Sequence, residues 1–277
     1  MSAVGGKVCA VTGAGSGIGR ALAVELARRG ARVAISDIDP DGLAGTSAAI
    51  GREVHVTVVD VADRDAVEAW AAAVAGHHGV VHQIYNNAGI AFSRPVLESE
   101  YEDFEQVLAV NLWGVIHGTK AFLPHVIASG DGHVTSISSV NGFFAQSRMS
   151  HYCASKFAVR GFSESLRSEM LAARHHVGVT VVHPGGVKTN IADAALDEAR
   201  KRGFVPTDAD LRRHQTFNEK ILRMAPEQAA RIIVDGVEGG RARVLVGNDA
   251  RLIDAIVRLL PGRYPRVAVA LERRLRR

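Results

Sequence analysis

The 277-residue chain is 47% hydrophobic and 22% charged, globular proportions that exclude disorder as its dominant state. Its two cysteines, Cys9 and Cys153, are too few for a disulfide framework or a Cys-rich zinc site, which points to a reducing, cytoplasmic setting. The net charge of +4 comes from one end: from Arg251 onward eight arginines face only Asp254 and Glu272, so residues 1–250 are slightly acidic and the basicity is weak evidence for nucleic-acid binding.

The run from Lys7 to Thr12 reads as a strand, followed by a glycine cluster and a helix from Ile18 to Arg29 that Gly30 stops. A buried strand follows at 32–37. The cycle repeats with a strand at Val54–Val59, a helix at Arg64–Ala75 and a strand at Val80–Tyr85. Next come a long helix around Phe104–Ile127, a strand at His133–Ser138, a helix near Ala154–Ala172 and a strand at Gly178–His183. After an irregular stretch, a helix over Pro226–Glu238 and a strand over Arg243–Val246 end the pattern. Alternating strands and helices imply an α/β fold: one Rossmann-like doubly wound parallel sheet of about seven strands, covered on both faces and spanning residues 1–250. No secretion signal precedes Val8, and no apolar stretch reaches the roughly 18 residues of a membrane span.

In such sheets ligands sit beyond the carboxyl ends of the strands. The loop Thr12-Gly-Ala-Gly-Ser-Gly-Ile-Gly19 follows the first strand there. Its glycines let a pyrophosphate approach the helix N-terminus, where free N–H groups attract anions. The spacing is TGxxxGxG, carried by Gly13, Gly17 and Gly19 with Gly15 as an extra glycine, and Ser16 and Ile18 between them. A Walker loop is excluded because no Gly-Lys-Ser/Thr ends it. Asp37 ends the second strand, where a carboxylate accepts hydrogen bonds from an adenosine ribose and repels a 2′-phosphate, favouring NAD over NADP. Arg20 weakens that preference slightly. Asp60 and Val61 end the third strand and could meet an adenine edge; Asp60 could equally cap the next helix.

Tyr152 and Lys156 lie four residues apart, on one helical face. A nearby ammonium favours phenolate. An unperturbed Tyr titrates near pH ~10, and bringing it to about 7 takes about 4 kcal/mol. Lys156 and a positive nicotinamide ring are the sources considered. A phenol so tuned can exchange a proton with an alcohol or carbonyl oxygen.

Taken with Asn86-Asn-Ala-Gly89, Asn111, Ile137-Ser-Ser139 and Pro184-Gly185, these motifs resemble those of a classical short-chain dehydrogenase/reductase over residues 5–250. The resemblance implies that Tyr152 is the general acid/base and that Lys156 lowers its pKa and binds nicotinamide-ribose hydroxyls. It implies that Ser139, thirteen residues before Tyr152, orients the reacting oxygen; chemistry alone does not choose between Ser138 and Ser139. Asn111 would help hold a water linked to Lys156, unless it bonds its own helix. Asn87, Ala88 and Gly89 would shape the cofactor side, Pro184, Gly185 and Val187 would border the nicotinamide, and Thr189 would contact its carboxamide. The reaction implied is hydride transfer between an alcohol and NAD, with a homo-oligomer, tetramer or dimer, expected from the same resemblance. The competing readings are an NADPH-dependent carbonyl reductase, against which Asp37 argues, and a cofactor-binding regulatory protein without turnover.

Phe92, Phe143, Phe144 and Met149, with Phe204, Phe217 and Met224 in the irregular 191–225 stretch, suggest an apolar pocket for a lipophilic substrate under a lid. The pairs His77-His78 and His175-His176 are read as helix-end residues rather than metal ligands, and no metal is expected. Cys153 is read as a small packing residue. Residues 251–277 form a basic amphipathic extension that packs on the domain or a neighbour, or meets an anionic membrane surface.

Overall fold

The computed structural model describes residues 2–201 and 205–275. Seven strands form one parallel sheet: β1 (Val8–Thr12), β2 (Arg32–Asp37), β3 (His55–Val58), β4 (Gln83–Asn86), β5 (Gly132–Ile137), β6 (Val177–Pro184) and β7 (Arg243–Val246). Their order is β3-β2-β1-β4-β5-β6-β7. The order reverses between β1 and β4, which pair in parallel with Cys9 opposite Gln83 and Val11 opposite Tyr85. That reversal opens a crevice at the carboxyl ends of β1 and β4, where such sheets take ligands.

β1 and β4 are buried throughout, as central strands covered on both faces must be. β3, at the edge, alternates half-buried and exposed residues instead. On one face α1 (Gly17–Arg28) and α9 (Pro226–Glu238) bury Leu22, Leu26, Ile233 and Val237 against the sheet. On the other, α3 (Arg64–His78), α5 (Gly114–Ala128) and α6 (Ser150–Ala172) contribute Trp70, Phe122 and Leu166. The Trp70 and Phe122 rings meet edge to face at 4.8 Å.

The structure adds helices that the apolar periodicity did not reveal. α2 (Pro40–Ile50) starts behind Asp39, whose side chain accepts the Asp41 N–H, with Pro40 in the first turn. The expected single helix over 104–127 is instead α4 (Tyr101–Leu108), a π turn (Ala109–Trp113) and α5. The stretch after β6 contains α7 (Ile191–Lys201), α8 (Asp208–Thr216) and a second π turn (Phe217–Ile221). Beyond β7, the extension forms α10 (Asn248–Leu259), where the amphipathic pattern of Leu252–Leu260 predicts a helix ended by Pro261, and α11 (Tyr264–Leu275). No described helix is long and apolar enough to cross a membrane.

Candidate active site

The glycine loop is shaped by close approach. A Cβ on Gly19 would lie 1.9 Å from the Gly13 carbonyl oxygen and 2.4 Å from Asn87 Nδ2, and one on Gly13 would lie 2.6 Å from Ala88 Cα. Gly13 also takes a left-handed φ of 63° that L side chains resist. Thr12 Oγ1 accepts the N–H groups of Asn87 and Ala88 at 3.0 and 3.1 Å, and Asn87 Nδ2 donates to the Thr12 and Gly13 carbonyls, both at 3.0 Å. The β1 and β4 loops are thus tied into one rim. Above it stands Thr189, whose methyl would lie 3.2 Å from a Cβ on Gly17. Ser16 is exposed and its side chain caps none of the first-turn N–H groups of α1. Those donors face the crevice at the positive end of the helix dipole, so the cradle fits a dinucleotide pyrophosphate. Ile18, in that first turn, packs against the core.

Asp37 lies beside this cradle. Its Oδ2 accepts the Gly15 N–H at 2.8 Å and its Oδ1 the Asp39 N–H at 3.0 Å. Arg20, the cation that weakened the NAD reading, is committed beneath the loop. It donates to the Gly15 carbonyl, to the Gly42 carbonyl at 3.2 Å and to Thr46 Oγ1 at 3.0 Å. Asp60 does not cap α3. Asp63 does, accepting from Asp65 and Ala66, whereas exposed Asp60 turns its own loop by accepting the Ala62 N–H at 2.9 Å. Val61 is buried, its side chain against Gly114 and its carbonyl 3.0 Å from His117 Nδ1.

Beyond β5 and in the first turn of α6, the phenol, lysine and serine converge. The Ser139 hydroxyl lies near enough to the Tyr152 phenol to lower its pKa, while it accepts the Asn141 N–H at 3.1 Å and donates to Asn141 Oδ1 at 3.5 Å; Lys156 Nζ lies 5.6 Å from the centre of the Tyr152 ring. Ser138 points elsewhere: its hydroxyl donates to the Lys156 carbonyl at 2.9 Å. Geometry therefore separates two serines that chemistry alone could not. Burial pushes the Tyr152 phenol up to about 12, with the nearby Ser139 hydroxyl working against it. Burial also brings the Lys156 ammonium down to about 8, although Nζ donates to the Ile137 carbonyl at 3.1 Å.

Asn111 sits on the π turn and bonds outside its own helix. Its Oδ1 accepts the Ile90 N–H at 2.8 Å; its Nδ2 donates to the Ile90 carbonyl at 2.9 Å and to Ser155 Oγ at 3.1 Å. Ser155 in turn donates to the Tyr152 carbonyl at 2.8 Å. A Cβ on Gly89 would lie 3.2 Å from Asn111 Oδ1 and 3.3 Å from Lys156 Nζ, so both groups face one glycine. After β6, the Gly185 N–H donates to the Val246 carbonyl at 2.9 Å and the Gly186 N–H to Asp249 Oδ2 at 2.6 Å. Val187 is buried and bridges in parallel to Met224. Pro184 is the last residue of β6, so the segment from Pro184 to Thr189 runs off the same sheet edge.

Several aromatics expected to line a pocket are packing residues. Phe143 is buried edge-to-face on His183 at 5.0 Å, with the Arg243 guanidinium 4.8 Å from its ring centre. Phe92 is buried against His151 at 5.4 Å. Phe144 and Met149 remain half-buried on the loop between Ser139 and Tyr152. Phe204 and the side chain of Phe217 lie outside the described residues. Cys153 does more than fill space: its sulfur accepts from Asn141 Nδ2 and the Gln146 N–H, both at 3.5 Å, and so steadies that loop. Among the described residues no group of three or more His, Cys, Asp or Glu is placed to hold a metal.

Sequence reasoning missed Ser155, His183 and Asp249. His183 Nδ1 lies 2.8 Å from the Ser139 carbonyl oxygen, and burial brings its imidazole down to about 4, so it is neutral near pH 7 and can hold Ser139 from behind. The position of His183 beside the Pro184-Gly185 motif was the available signal.

The sequence pattern of the family described as short chain dehydrogenase matches residues 7–200. The chain belongs to the short-chain dehydrogenase/reductase family, and it is an oxidoreductase of that family. It is 51% identical over 277 residues to SadH of Mycobacterium tuberculosis, which is named as an oxidoreductase, covering 98% of this chain and 96% of that one. It is 34% identical over 232 residues to retinol dehydrogenase 10-B of Xenopus laevis, covering 73% and 68%. A short-chain dehydrogenase/reductase from Burkholderia phymatum, solved in complex with NAD, superposes with a TM-score of 0.85 at 30% identity, covering 98% and 97%.

The two serines carry distinct expectations. Ser139→Ala should lower turnover by about 10²-fold with little change in melting temperature. Ser138→Ala should cost about 1 kcal/mol of stability, the net worth of one buried hydrogen bond, and leave turnover nearly intact. Steady-state kinetics and thermal melts on both variants check this.

Proposed function

We propose that this short-chain dehydrogenase/reductase interconverts a lipophilic alcohol and its ketone or aldehyde with NAD, using Tyr152 as general acid/base. One observation carries the reading: a phenol beside the Ser139 hydroxyl, with a buried lysine 5.6 Å from its ring, at the sheet edge that also holds the glycine cradle. When bound there, NAD supplies the acceptor or donor of the hydride.

The chain's own residues would do the rest. Ser139 and Tyr152 hold the reacting oxygen between two hydroxyls. In oxidation Tyr152 takes the hydroxyl proton; in reduction it returns one to the carbonyl oxygen. Lys156 offsets the charge left on the phenolate, and Asn111, through Ser155, fixes the turn of α6 that carries Tyr152. Gly13, Gly15, Gly17 and Gly19 with the α1 N-terminus would hold the pyrophosphate. Asn87, Ala88, Gly89, Pro184, Gly185, Val187 and Thr189 would border the nicotinamide, and Asp60 and Val61 the adenine. Asp37, with Arg20 withdrawn under the loop, favours an unphosphorylated ribose.

The lipophilic substrate is supported by Phe144 and Met149 on the substrate-side loop and by likeness to a retinol dehydrogenase. Self-association is part of the same reading: Trp113 and Phe157 stand 53% and 41% exposed on neighbouring helical elements, an unusual position for large apolar side chains unless covered.

The test is NADH formation from NAD and a series of linear secondary alcohols. The value of kcat/KM should rise about fourfold per added methylene, the equivalent of about 0.8 kcal/mol, until the pocket is filled. Turnover confined to small charged sugars would overturn the substrate class.

A further inference from the structure

The C-terminal extension carries a surface that the enzyme reading does not use. On α10, Leu252, Ala255 and Leu259 recur at i, i+3 and i+7, one stripe of the helix. All three are exposed, with Leu252 at 62% and Leu259 at 79%. Leu260 and Val269 continue this apolar exposure into the turn and α11. Arg251 and Arg258 flank the stripe, and Arg263 and Arg266 follow it, all four exposed. Asp254 engages Arg258 at 3.0 Å, but it also takes Arg243 at 2.7 Å, so its one charge is shared. In the sequence the extension holds eight arginines against two acids.

We propose that α10 and the start of α11 dock on an anionic lipid surface, with the leucines inserted and the arginines at the headgroups. Charge selects this occupant. A second copy of the same face would bring like charges together, whereas phosphate headgroups neutralise them, and long arginine stems let the charge reach headgroups while their methylenes stay apolar. The patch is also joined to the substrate side of the site. The Tyr264 hydroxyl accepts the Ala145 N–H at 3.2 Å, and its ring lies 5.4 Å from that of Phe144. Both partners lie on the loop between Ser139 and Tyr152. Resting on the lipophilic-substrate reading, this contact sets the mouth of the site beside the bilayer, where such an alcohol partitions.

The experiment is co-sedimentation of the full-length protein with phosphatidylcholine vesicles, with and without phosphatidylglycerol at about 30 mol%. Binding should require the anionic lipid and fall in high salt. Arg251→Gln and Arg263→Gln should each weaken it about fivefold, and Leu252→Glu with Leu259→Glu about tenfold or more. Thermal melts and NADH binding establish that the variants are folded. Absence of vesicle binding, equal binding to neutral vesicles, or unchanged binding of the leucine variant overturns the proposal. A change of oligomeric mass in the folded leucine variant also overturns it, by assigning the stripe to a subunit interface. None of these readouts depends on turnover, so failure here leaves the hydride-transfer reading intact, and loss of that reading leaves this one testable.

Discussion

Tyr152→Phe should lower turnover by about 10²- to 10⁴-fold while leaving NADH affinity unchanged. The substitution removes one oxygen and keeps the ring, so the packing of the first turn of α6 is preserved. What disappears is the phenol hydroxyl beside Ser139 that can exchange a proton with an alcohol, and positioned acid/base groups contribute a factor of that size. Steady-state kinetics paired with NADH fluorescence titration separates the two effects. A variant that keeps turnover within about tenfold of the parent would remove Tyr152 from the chemistry.

Lys156→Met should move the pH dependence of alcohol oxidation upward by about two units. In the protein alone the Tyr152 phenol is held up near about 12 and the Lys156 ammonium down near about 8. On raising the pH, Lys156 would lose its proton first, which is the wrong order for a phenolate beside an ammonium. For the working pair, Tyr152 must fall below Lys156, a change of about 5 kcal/mol in differential stabilisation. An ammonium about 6 Å from a phenolate oxygen would supply about 3 kcal/mol at an effective dielectric of about 20. That is more than half of the requirement and equals about two units. Methionine is similar in length and apolar, so the core tolerates it. Oxidation needs the phenolate, so its rate rises with pH through the Tyr152 titration, and loss of the cation shifts that rise to higher pH. A pH–rate profile of the variant that keeps the parent midpoint would assign Lys156 to cofactor binding alone.

Much of this architecture was legible locally. The parallel sheet followed from apolar runs separated by helical periods, and β1, its glycine loop and α1 follow one another over a few residues of chain. α2 was not legible, because Asp39-Pro-Asp-Gly42 reads as a turn and Gly42 and Gly45 interrupt the helical signal. The fold explains Gly42: a Cβ there would lie 2.6 Å from Asp39 Oδ2 and 2.9 Å from the Gly15 carbonyl oxygen, so α2 needs glycine to approach the loop. The π turn at Asn111 was hidden for a different reason. An inserted residue changes which face a side chain occupies, and the apolar pattern of 104–127 carries no mark of it. The roles of Ser138 and Ser139 depend on whether each hydroxyl meets a carbonyl or a phenol. Asp249 and Tyr264 reach the site from more than 60 residues away along the chain, where no spacing rule applies. Phe92 and Phe143 pack against His151 and His183; composition cannot distinguish a pocket wall from the packing behind it.

The most direct test of the account is a fluorescence titration of the purified protein with NADH and with NADPH. Binding of NADH about 100-fold more tightly is the predicted result. The difference is below 3 kcal/mol and lies within the roughly 4 kcal/mol that a carboxylate and a phosphate charge exert at about 4 Å near a protein surface. Equal affinity, or preference for NADPH, would contradict the assignment of Asp37 and direct attention to a cation other than Arg20. Binding of neither would contradict the dinucleotide cradle, and with it the reaction built on Tyr152, Lys156 and Ser139.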